Sequence, residues 1–530
     1  MQGKSLKSSK TLALYLEEVR VYRPESEQVS VFENERFFQF HGLNPDNDWV
    51  RLAKLIPWAE LERRYAQTFD SNIGNVGKPA RMALGALVIK ERYGFSDEDT
   101  VQEIRMNPYL QFFLGLPAFQ HEAPFDASTM TLFRKRIPAD LLADLNDYII
   151  GRCNPYAEDE DADDDSPDST PPDPPIEQSD ENADAQELNK SEPPTNRGTL
   201  ILDATCVPQD IRYPTDISLL NEARECLEGM IDSAFPKGQK PRTYRRIARR
   251  DYLRYAKNRR PSQKLLRKSL RKQLSYVARN LGYLSEVKDS LSEKDQKQLQ
   301  VIEVLYAQQK QMYEQRSKRV DDRIVSLHQP WVRPIVRGKA KAAVEFGAKI
   351  AVSLVDGYPR IEHLSWDNFH EGTTLQESVE SYRADTGVYP ERVLTDRAYR
   401  TRENLQYCKE RGIRMSGPKL GRPPKDKALY RQQLLEERLE SGERSAIESS
   451  FGVGKRRYGL SLVMERLQET SEVAIHVSIL TMNLWKRLRA LLFALFPRAL
   501  RASVWCRKLV VMSMVVVWGA EGDLKTVIVQ

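Results

Sequence analysis

The run from Thr199 to Val207 has the sequence TLILDATCV, a short apolar stretch with several β-branched residues. Its length and composition predict a buried β-strand. Asp203 interrupts this strand near its predicted end, where an unpaired carboxylate would be costly to bury. This carboxylate therefore needs an explanation beyond packing.

Further strands are indicated downstream of this run. The apolar run 344–355, the turn Asp356-Gly357-Tyr358-Pro359 and the run 360–366 together predict a β-hairpin. Residues 390–396, with the sequence PERVLTD, predict a short strand that again ends in an aspartate, Asp396. Two strands with terminal carboxylates need a common explanation.

A third carboxylate, Glu448, lies in a predicted helix. Arg444, Glu448 and Lys455 are spaced by four and seven residues, which places them on one helical face. Taken alone, such a helix would be an exposed helix with an ordinary ion pair. However, two hard divalent cations roughly 3.5–4 Å apart can drive phosphodiester chemistry, and such ions need oxygen ligands. The candidate catalytic and metal-binding residues are therefore Asp203, Asp396 and Glu448.

The sequence resembles the DDE transposases of bacterial insertion sequences. The pattern Tyr-x2-Arg-x3-Glu-x6-Lys around the third acid is that of the group typified by insertion sequence five, except that Ser441 replaces the tyrosine. The resemblance extends over roughly residues 78–492, apart from an acidic linker. It rests on these blocks: Leu202-Asp203-Ala204-Thr205, Arg333 to Lys339 (RPIVRGK), Glu345 to Lys349 (EFGAK), Thr395 to Arg400 (TDRAYR), and the helix with Arg444, Glu448 and Lys455.

This resemblance implies an α/β fold with a ribonuclease-H-like catalytic core. It also implies dependence on Mg²⁺ or Mn²⁺, with Asp203, Asp396 and Glu448 as the catalytic triad and metal ligands. Arg444 and Lys455 become expected DNA contacts. The implied partners are double-stranded DNA, both the inverted repeats of the element and the target, and a second copy of the chain in a homodimer on DNA.

Outside the core, the sequence predicts a helical N-terminal domain, an acidic linker and a C-terminal extension. Residues 1–150 contain short predicted helices, which resemble a DNA-binding helix-turn-helix module as much as they resemble a small helical domain. The basic run Arg134-Lys135-Arg136 slightly favours DNA, although such a run is usually solvated. Residues 157–196 are too acidic and proline-rich to bury a core and are expected to be disordered. The catalytic domain is assigned to residues 197–492, and residues 493–530 have no assigned role.

A long helical insertion, residues 216–327, separates the strands that carry the two aspartates. Its first half is basic, because residues 237–279 contain seventeen Lys and Arg residues against one acid, Asp251. Apolar spacings of three and four residues predict a helical hairpin with a basic face. We expect this face to bind the DNA backbone. Its candidate contacts are Arg245, Arg246, Arg249 and Arg250.

Composition excludes several other functions. The net charge is +6, but residues 157–189 hold fourteen acids and no base, so the remainder carries 6 + 14 = +20 and favours a polyanionic partner. The five cysteines form no zinc-binding pattern, the histidines are too dispersed for a metal site, and no GxxxxGK[ST] motif indicates ATP use. No apolar run is long enough for a membrane span and no secretory signal is indicated, so a cytoplasmic, nucleoid-associated bacterial protein is expected.

Three functions stay open on sequence grounds. The leading one is a transposase that cleaves DNA and transfers strands. The second is a nuclease of the same fold without strand transfer. The third is a DNA-binding protein derived from a transposase, in which the carboxylates no longer act. The presence of all three acids argues against the third function.

Overall fold

The computed structural model describes residue 37 and residues 42–69, 77–151, 196–236, 238–336, 344–417 and 426–495. The predicted acidic linker therefore lies outside the described residues, except for Asn196. The same holds for most of the predicted C-terminal extension and for Arg337 to Lys339 of the block at residues 333–339.

A mixed β-sheet forms the centre of the described chain. Its path runs β2-β3-β1-β5-β6, and β4 also pairs with β3. The strand β3 is antiparallel to β1, β2 and β4, whereas β5 is parallel to both β1 and β6. The strands are β1 (Thr199–Pro208), β2 (Arg333–Val336), β3 (Val344–Val355), β4 (Tyr358–Ser365), β5 (Arg392–Leu394) and β6 (Arg414–Met415).

The predicted hairpin is confirmed, with one change at its second strand. Asp356 and Gly357 both have positive φ, 52° and 76°, as the tight turn of a two-residue hairpin loop requires. The second strand begins at Tyr358, two residues earlier than predicted, because Tyr358 and Pro359 already pair with Val355 and Leu354.

Seven of the described helices precede the sheet, and they bury their apolar faces against one another and against the last helix of the described residues. Gly94 ends the third of them in the left-handed conformation, with φ of 69°, and the Ser96 side chain caps the next. The seven are α1 (Asp48–Ala53), α2 (Trp58–Ala66), α3 (Ala80–Tyr93), α4 (Asp97–Met106), α5 (Pro108–Phe113), α6 (Thr129–Arg136) and α7 (Ala139–Ile150).

Two of the three cations in the basic run of α6 contact other groups of the protein, whereas Lys135 is exposed, so the slight preference of this run for DNA stays a prediction. Arg134 is buried and pairs with Asp97 and with Glu465, the latter at 3.3 Å. The Arg136 guanidinium lies 4.2 Å from the centroid of the Phe69 ring. Long-range partners of this kind leave no trace in a local charge pattern.

Among its described residues, the insertion between β1 and β2 contains four α-helices, so the predicted two-helix hairpin is too simple. Ser292 caps the last α-helix through the backbone N–H of Asp295, a contact that the local Ser-x-x-Asp pattern favours. The earlier two helices pack on the hairpin because leucines of the first helix share a core with it, separate from the core around the sheet. The four are α8 (Asp216–Ala234), α9 (Arg245–Ala256), α10 (Gln263–Ser285) and α11 (Glu293–Gln315).

The remaining helices cover both faces of the sheet. One face packs on α15 and the N-terminal helices, and the other packs on α12 and α13. Two short 3-10 helices, Glu371–Thr374 and Arg397–Tyr399, precede α12 and follow β5. No helix in the described ranges is long and apolar enough to cross a membrane. The helices are α12 (Leu375–Thr386), α13 (Arg402–Glu410), α14 (Lys427–Arg457) and α15 (Gln468–Leu495).

Candidate active site

The parallel pairing of β1 with β5 brings the two predicted strand aspartates to the same level of the sheet. Ile201 pairs with Leu394 at the last position of the ladder. Asp203 comes two residues after Ile201, and Asp396 comes two residues after Leu394. The two aspartates therefore stand at equivalent positions just beyond the paired residues of β1 and β5. The prediction that Asp203 stands near the end of its strand is wrong, because pairing with β3 continues β1 to Pro208. It is β5 that ends at this level.

Asp203 is largely buried, with a side chain that is 15% exposed. Burial, together with the neighbouring carboxylates of Glu371 and Asp396, raises the pKa of its carboxyl to about 6. The Ala204 backbone N–H, which donates to Asp203 Oδ1 at 2.8 Å, and the Arg444 guanidinium act in the opposite direction. Asp203 is therefore a carboxylate that is held in a poorly solvated, acid-rich place.

Asp396 has a defined orientation. It caps the 3-10 helix Arg397–Tyr399, and its Oδ1 accepts a hydrogen bond from the Ala398 N–H at 2.7 Å. The hydroxyl group of a buried neighbour, Thr395, has no hydrogen-bond partner among the described residues. A polar ligand in this place would therefore meet an unsatisfied hydroxyl as well as the carboxylate.

Glu448 is connected to Asp203 through the side chain of Arg444. Its side chain is 56% exposed, and its Oε1 lies 2.9 Å from Arg444 Nη2, one helical turn away. Arg444 Nη1 lies 3.5 Å from Asp203 Oδ2. The guanidinium thus stands between two of the three predicted catalytic acids.

Lys455 faces the sheet from the same side of α14 as Arg444. Its Nζ donates a hydrogen bond of 2.7 Å to the carbonyl oxygen of Cys206, three residues along β1 from Asp203. The predicted common face of Arg444, Glu448 and Lys455 therefore lies along β1. Both cations are engaged with β1, and their expected role as DNA contacts stays a prediction.

A fourth acid, Glu371, stands beside the predicted ones and was missed from the sequence. Its Oε1 lies 3.0 Å from Lys349 Nζ, on β3. The 3-10 helix that Glu371 begins packs against the one that Asp396 caps, since Asn404 Nδ2 donates to the carbonyl oxygens of both Gly372 and Tyr399. The only local signal was its place shortly after β4, comparable to that of Asp396 after β5.

The groups that could bind a metal ion at this site are carboxylates, and their oxygen atoms are the ligands that hard divalent cations prefer. In the described part of the chain, no three His, Cys, Asp or Glu residues stand close enough together to hold a metal ion as they are. The raised pKa of Asp203 and the mutual repulsion of its acidic neighbours nevertheless fit a site that is stabilised by added positive charge. The chemistry of the donors fits Mg²⁺ or Mn²⁺.

The four candidate arginines of the insertion lie on or beside α9. Arg245 is already engaged, because it lies 2.9 Å from Asp232 and 4.0 Å from Glu228. Arg246, Arg249 and Arg250 are exposed and form no ion pair with any described acid. They are therefore available to a polyanion, whereas Arg245 is less so.

Comparisons with known proteins find matches for two separate segments of the chain. Residues 393–485 match the family described as Transposase DDE domain, and residues 38–136 match the family described as Transposase domain (DUF772). The first match includes Asp396, Arg444, Glu448 and Lys455, but not Asp203. No solved structure matches the chain.

One curated relative is a protein from Rhizobium meliloti described as uncharacterized protein ORF8 in nfe locus. It is 45% identical over 106 residues, which are 19% of this chain and 49% of the relative. The chain therefore spans about half the length of that protein.

Two segments of the chain are therefore similar to domains of transposases. These matches support a transposase, an enzyme that acts on DNA. The similarity to the group typified by insertion sequence five stays a prediction.

Proposed function

We propose that this protein is a metal-dependent transposase that binds the inverted-repeat ends of an insertion sequence, cleaves DNA there and transfers the strands to a target. The observation that carries this proposal is the β1–β5 register. It sets Asp203 beside Asp396, and Arg444 connects Asp203 to Glu448. The proposal therefore takes Asp203, Asp396 and Glu448, three acids that are far apart in sequence, as the acids of one site.

The sheet supports a ribonuclease-H-like core for this function. Its antiparallel strands β4, β3 and β1 continue into the parallel strands β5 and β6, with helices on both faces. In this core, Asp203 and Asp396 lie on neighbouring parallel strands or just beyond them. Glu448 comes from a helix that lies against the central strand.

The three acids would hold Mg²⁺ or Mn²⁺, and such ions activate the attacking oxygen and stabilise the leaving oxygen of a phosphodiester. The protein orients the acids: the Ala204 N–H fixes Asp203, and the Ala398 N–H fixes Asp396. Lys349 balances the charge of Glu371. These contacts leave Glu448, exposed and paired with Arg444 at 2.9 Å, as the acid that is freest to adjust.

Arg444 has two roles in this proposal. Without a metal ion it neutralises Asp203 and Glu448, whose charges would otherwise repel each other. With a divalent cation held by these acids, the guanidinium would be available for a DNA phosphate. Lys455, Arg246, Arg249 and Arg250 add further contacts to the backbone, and two copies of the chain act together on paired DNA ends.

The proposal is tested on duplexes that carry the terminal repeats flanking the gene. Wild-type protein with Mg²⁺ or Mn²⁺ is expected to nick these duplexes and to join the cut strands to a second duplex. Asp396→Asn is expected to abolish both products while leaving DNA binding intact, because one ligand charge is lost and the basic surface is untouched. Asp367→Asn, an exposed acid of the same domain, serves as the matched control.

Absence of cleavage by the wild-type protein with either ion would overturn the proposal. Full cleavage by the Asp396→Asn variant would remove Asp396 from the site. Cleavage without any joined product would reduce the proposal to a nuclease of the same fold.

A further inference from the structure

A cleft of about 550 Å³ opens between the C-terminal ends of α3 and α14. The first helix belongs to the region that matches Transposase domain (DUF772), and the second to the region that matches Transposase DDE domain. The cleft therefore lies where the two matched regions meet. Five of its lining residues are cationic: Lys90, Arg92, Lys455, Arg456 and Arg457.

The floor of the cleft is electrically balanced. Lys90 pairs with Glu465 at 2.8 Å and lies 3.7 Å from Glu91, and Arg134 also reaches Glu465 at 3.3 Å. Gly459 closes the floor tightly, because a Cβ at this position would lie 2.0 Å from Glu91 Oε2. The charged side chains at the floor of the cleft are thus paired with one another and with Arg134.

The rim of the cleft is not balanced. Arg92, Arg456 and Arg457 form no ion pair with any acid in the described ranges. The Arg92 guanidinium is held in place by aromatic rings instead, 4.9 Å from the centroid of Trp485 and 5.8 Å from that of Tyr458. Three cations therefore surround the opening without an acidic partner in that part of the chain.

Aromatic side chains stand beside these cations. The rings of Tyr93 and Phe95 are stacked with centroids 5.1 Å apart, and the Tyr93 side chain is 44% exposed. Exposed aromatic rings next to arginines of this kind are a combination that binds nucleic acid strands, because bases stack on the rings while phosphates meet the cations.

One lysine connects the cleft with the strand that carries Asp203. Lys455 lines the cleft, and its Nζ bonds to Cys206 of β1. Arg456 follows Glu448 by 456 − 448 = 8 residues on one helix, a rise of roughly 12 Å. At roughly 3.4 Å per nucleotide along a strand of a duplex, this rise corresponds to about three or four nucleotides.

We propose that this cleft binds the sugar–phosphate backbone of one DNA strand, with Arg92, Arg456 and Arg457 on its phosphates, a few nucleotides from the bond that the acids would cut. The inference rests on the proposed function, since it takes DNA as the substrate. It adds a second DNA-binding surface to the one expected on the insertion. In this second surface, the N-terminal helices and α14 contact the same DNA strand. The N-terminal region thereby contributes directly to positioning the DNA at the acids.

The test compares two triple variants of the full-length protein. The cleft variant is Arg92→Gln, Arg456→Gln and Arg457→Gln. The control is Lys427→Gln, Arg431→Gln and Arg438→Gln, which removes the same charge from exposed positions in the first half of α14. Binding to a mixed-sequence duplex is measured by fluorescence anisotropy over a range of NaCl concentrations without divalent metal, and thermal unfolding confirms that both variants are folded.

The cleft variant is expected to bind at least about tenfold more weakly at low salt. Its slope of log affinity against log salt should fall by roughly two to three, about 0.9 for each phosphate that the protein no longer neutralises. The control should change the slope by clearly less. Equal slopes for the two folded variants would overturn the inference, whatever the wild-type protein does in cleavage assays.

Position is tested separately. The Arg456→Cys variant is mixed with a series of duplexes. Each duplex carries one thiol-reactive phosphate, at a different position along the repeat end. Crosslinking is expected to peak about three or four nucleotides from the cleaved bond, and uniform crosslinking would overturn the inference. If the protein does not cleave, weakened binding by the cleft variant together with a crosslinking peak at one position of the repeat end would instead count against the proposed catalysis alone.

Discussion

Arg444 Nη1 lies 3.5 Å from Asp203 Oδ2, while Nη2 of the same guanidinium lies 2.9 Å from Glu448 Oε1. One positive charge thus holds together two of the three proposed metal ligands. A divalent cation that binds these acids has to compete with that charge. The ion pair is partly exposed, so we expect the competition to be modest.

Replacing Arg444 should therefore strengthen metal binding while weakening DNA binding. For Arg444→Gln we expect the affinity for Mn²⁺ to rise roughly two- to fivefold, the range of a partly exposed ion pair. The affinity for duplex DNA should fall, because one phosphate-binding cation is removed. Mn²⁺ binding is measured by electron paramagnetic resonance of the free ion, with Arg438→Gln as the control on the same helix. A variant with unchanged Mn²⁺ affinity would show that Arg444 does not occupy the metal-binding acids.

Glu91 should make the stability of the protein depend on pH. Burial raises the pKa of its carboxyl from 4.5 to about 7, against the opposing effect of Lys90. The folded state therefore holds this proton more tightly than the unfolded state does. The stabilisation is fully present below about pH 4.5 and is lost as pH rises through about 7. The difference, 7 − 4.5, corresponds to at most about 3 kcal/mol.

Glu91→Gln removes this titration. Relative to the variant, the wild-type free energy of unfolding should fall between about pH 5 and about pH 8, as measured by urea unfolding. Glu98→Gln, an exposed acid of the neighbouring helix α4, should follow the wild-type curve. Parallel curves for the wild type and Glu91→Gln would show that Glu91 is already ionised at the lower pH.

The insertion should bind DNA without regard to sequence. Replacing Arg245, Arg246, Arg249 and Arg250 by alanine is expected to weaken binding equally for repeat-containing and unrelated duplexes, because phosphate contacts carry no sequence information. The salt slope should decrease by roughly three, with Arg245 contributing least since it is paired with Asp232. Anisotropy titrations check both points. If the variant binds random DNA like the wild type at every salt concentration, the insertion is a solvated structural arm.

The sequence was most informative where local chemistry determines structure. The apolar run at β1, the Asp356-Gly357 turn and the Ser292 cap each follow from a few neighbouring residues, and the structure contains all three. Local patterns also located Asp203 and Asp396 beside strands. The adjacency of these strands was only expected, because pairing across nearly two hundred residues has no local signature.

The features that the sequence did not reveal depend on contacts between residues that are far apart in the chain. Glu371 is recognisable as part of the site only once Lys349 and the 3-10 helix after Asp396 are seen beside it. Arg134 resembled a surface cation until its pairing with Glu465, more than three hundred residues away, became visible. The first two helices of the insertion were not separated from the hairpin because the leucines of α8 form a core with helices that follow much later in the sequence.

The contact between β1 and β3 offers a last test, through Gly347. A Cβ at this position would lie 2.0 Å from the carbonyl oxygen of Val207 and 2.8 Å from Pro208 Cα, so neither strand backbone can yield cheaply. Gly347→Ala should push β1 away from β3 near Lys349 and lower the free energy of unfolding by about 1–3 kcal/mol, the usual cost of overpacking. Because Asp203 lies on the displaced strand, Mn²⁺ affinity should fall as well.

Gly282→Ala is the matched control for this substitution. Gly282 lies within α10, and a Cβ there would meet nothing within 4 Å. Alanine should therefore stabilise the helix by up to about 1 kcal/mol, since it restricts the unfolded chain and favours the helical conformation. The two substitutions add the same methyl group with opposite expected signs, and urea unfolding measures both. A Gly347→Ala variant as stable as the wild type would mean that β1 and β3 are not packed as closely as described, and the position of Asp203 would then need to be reassigned.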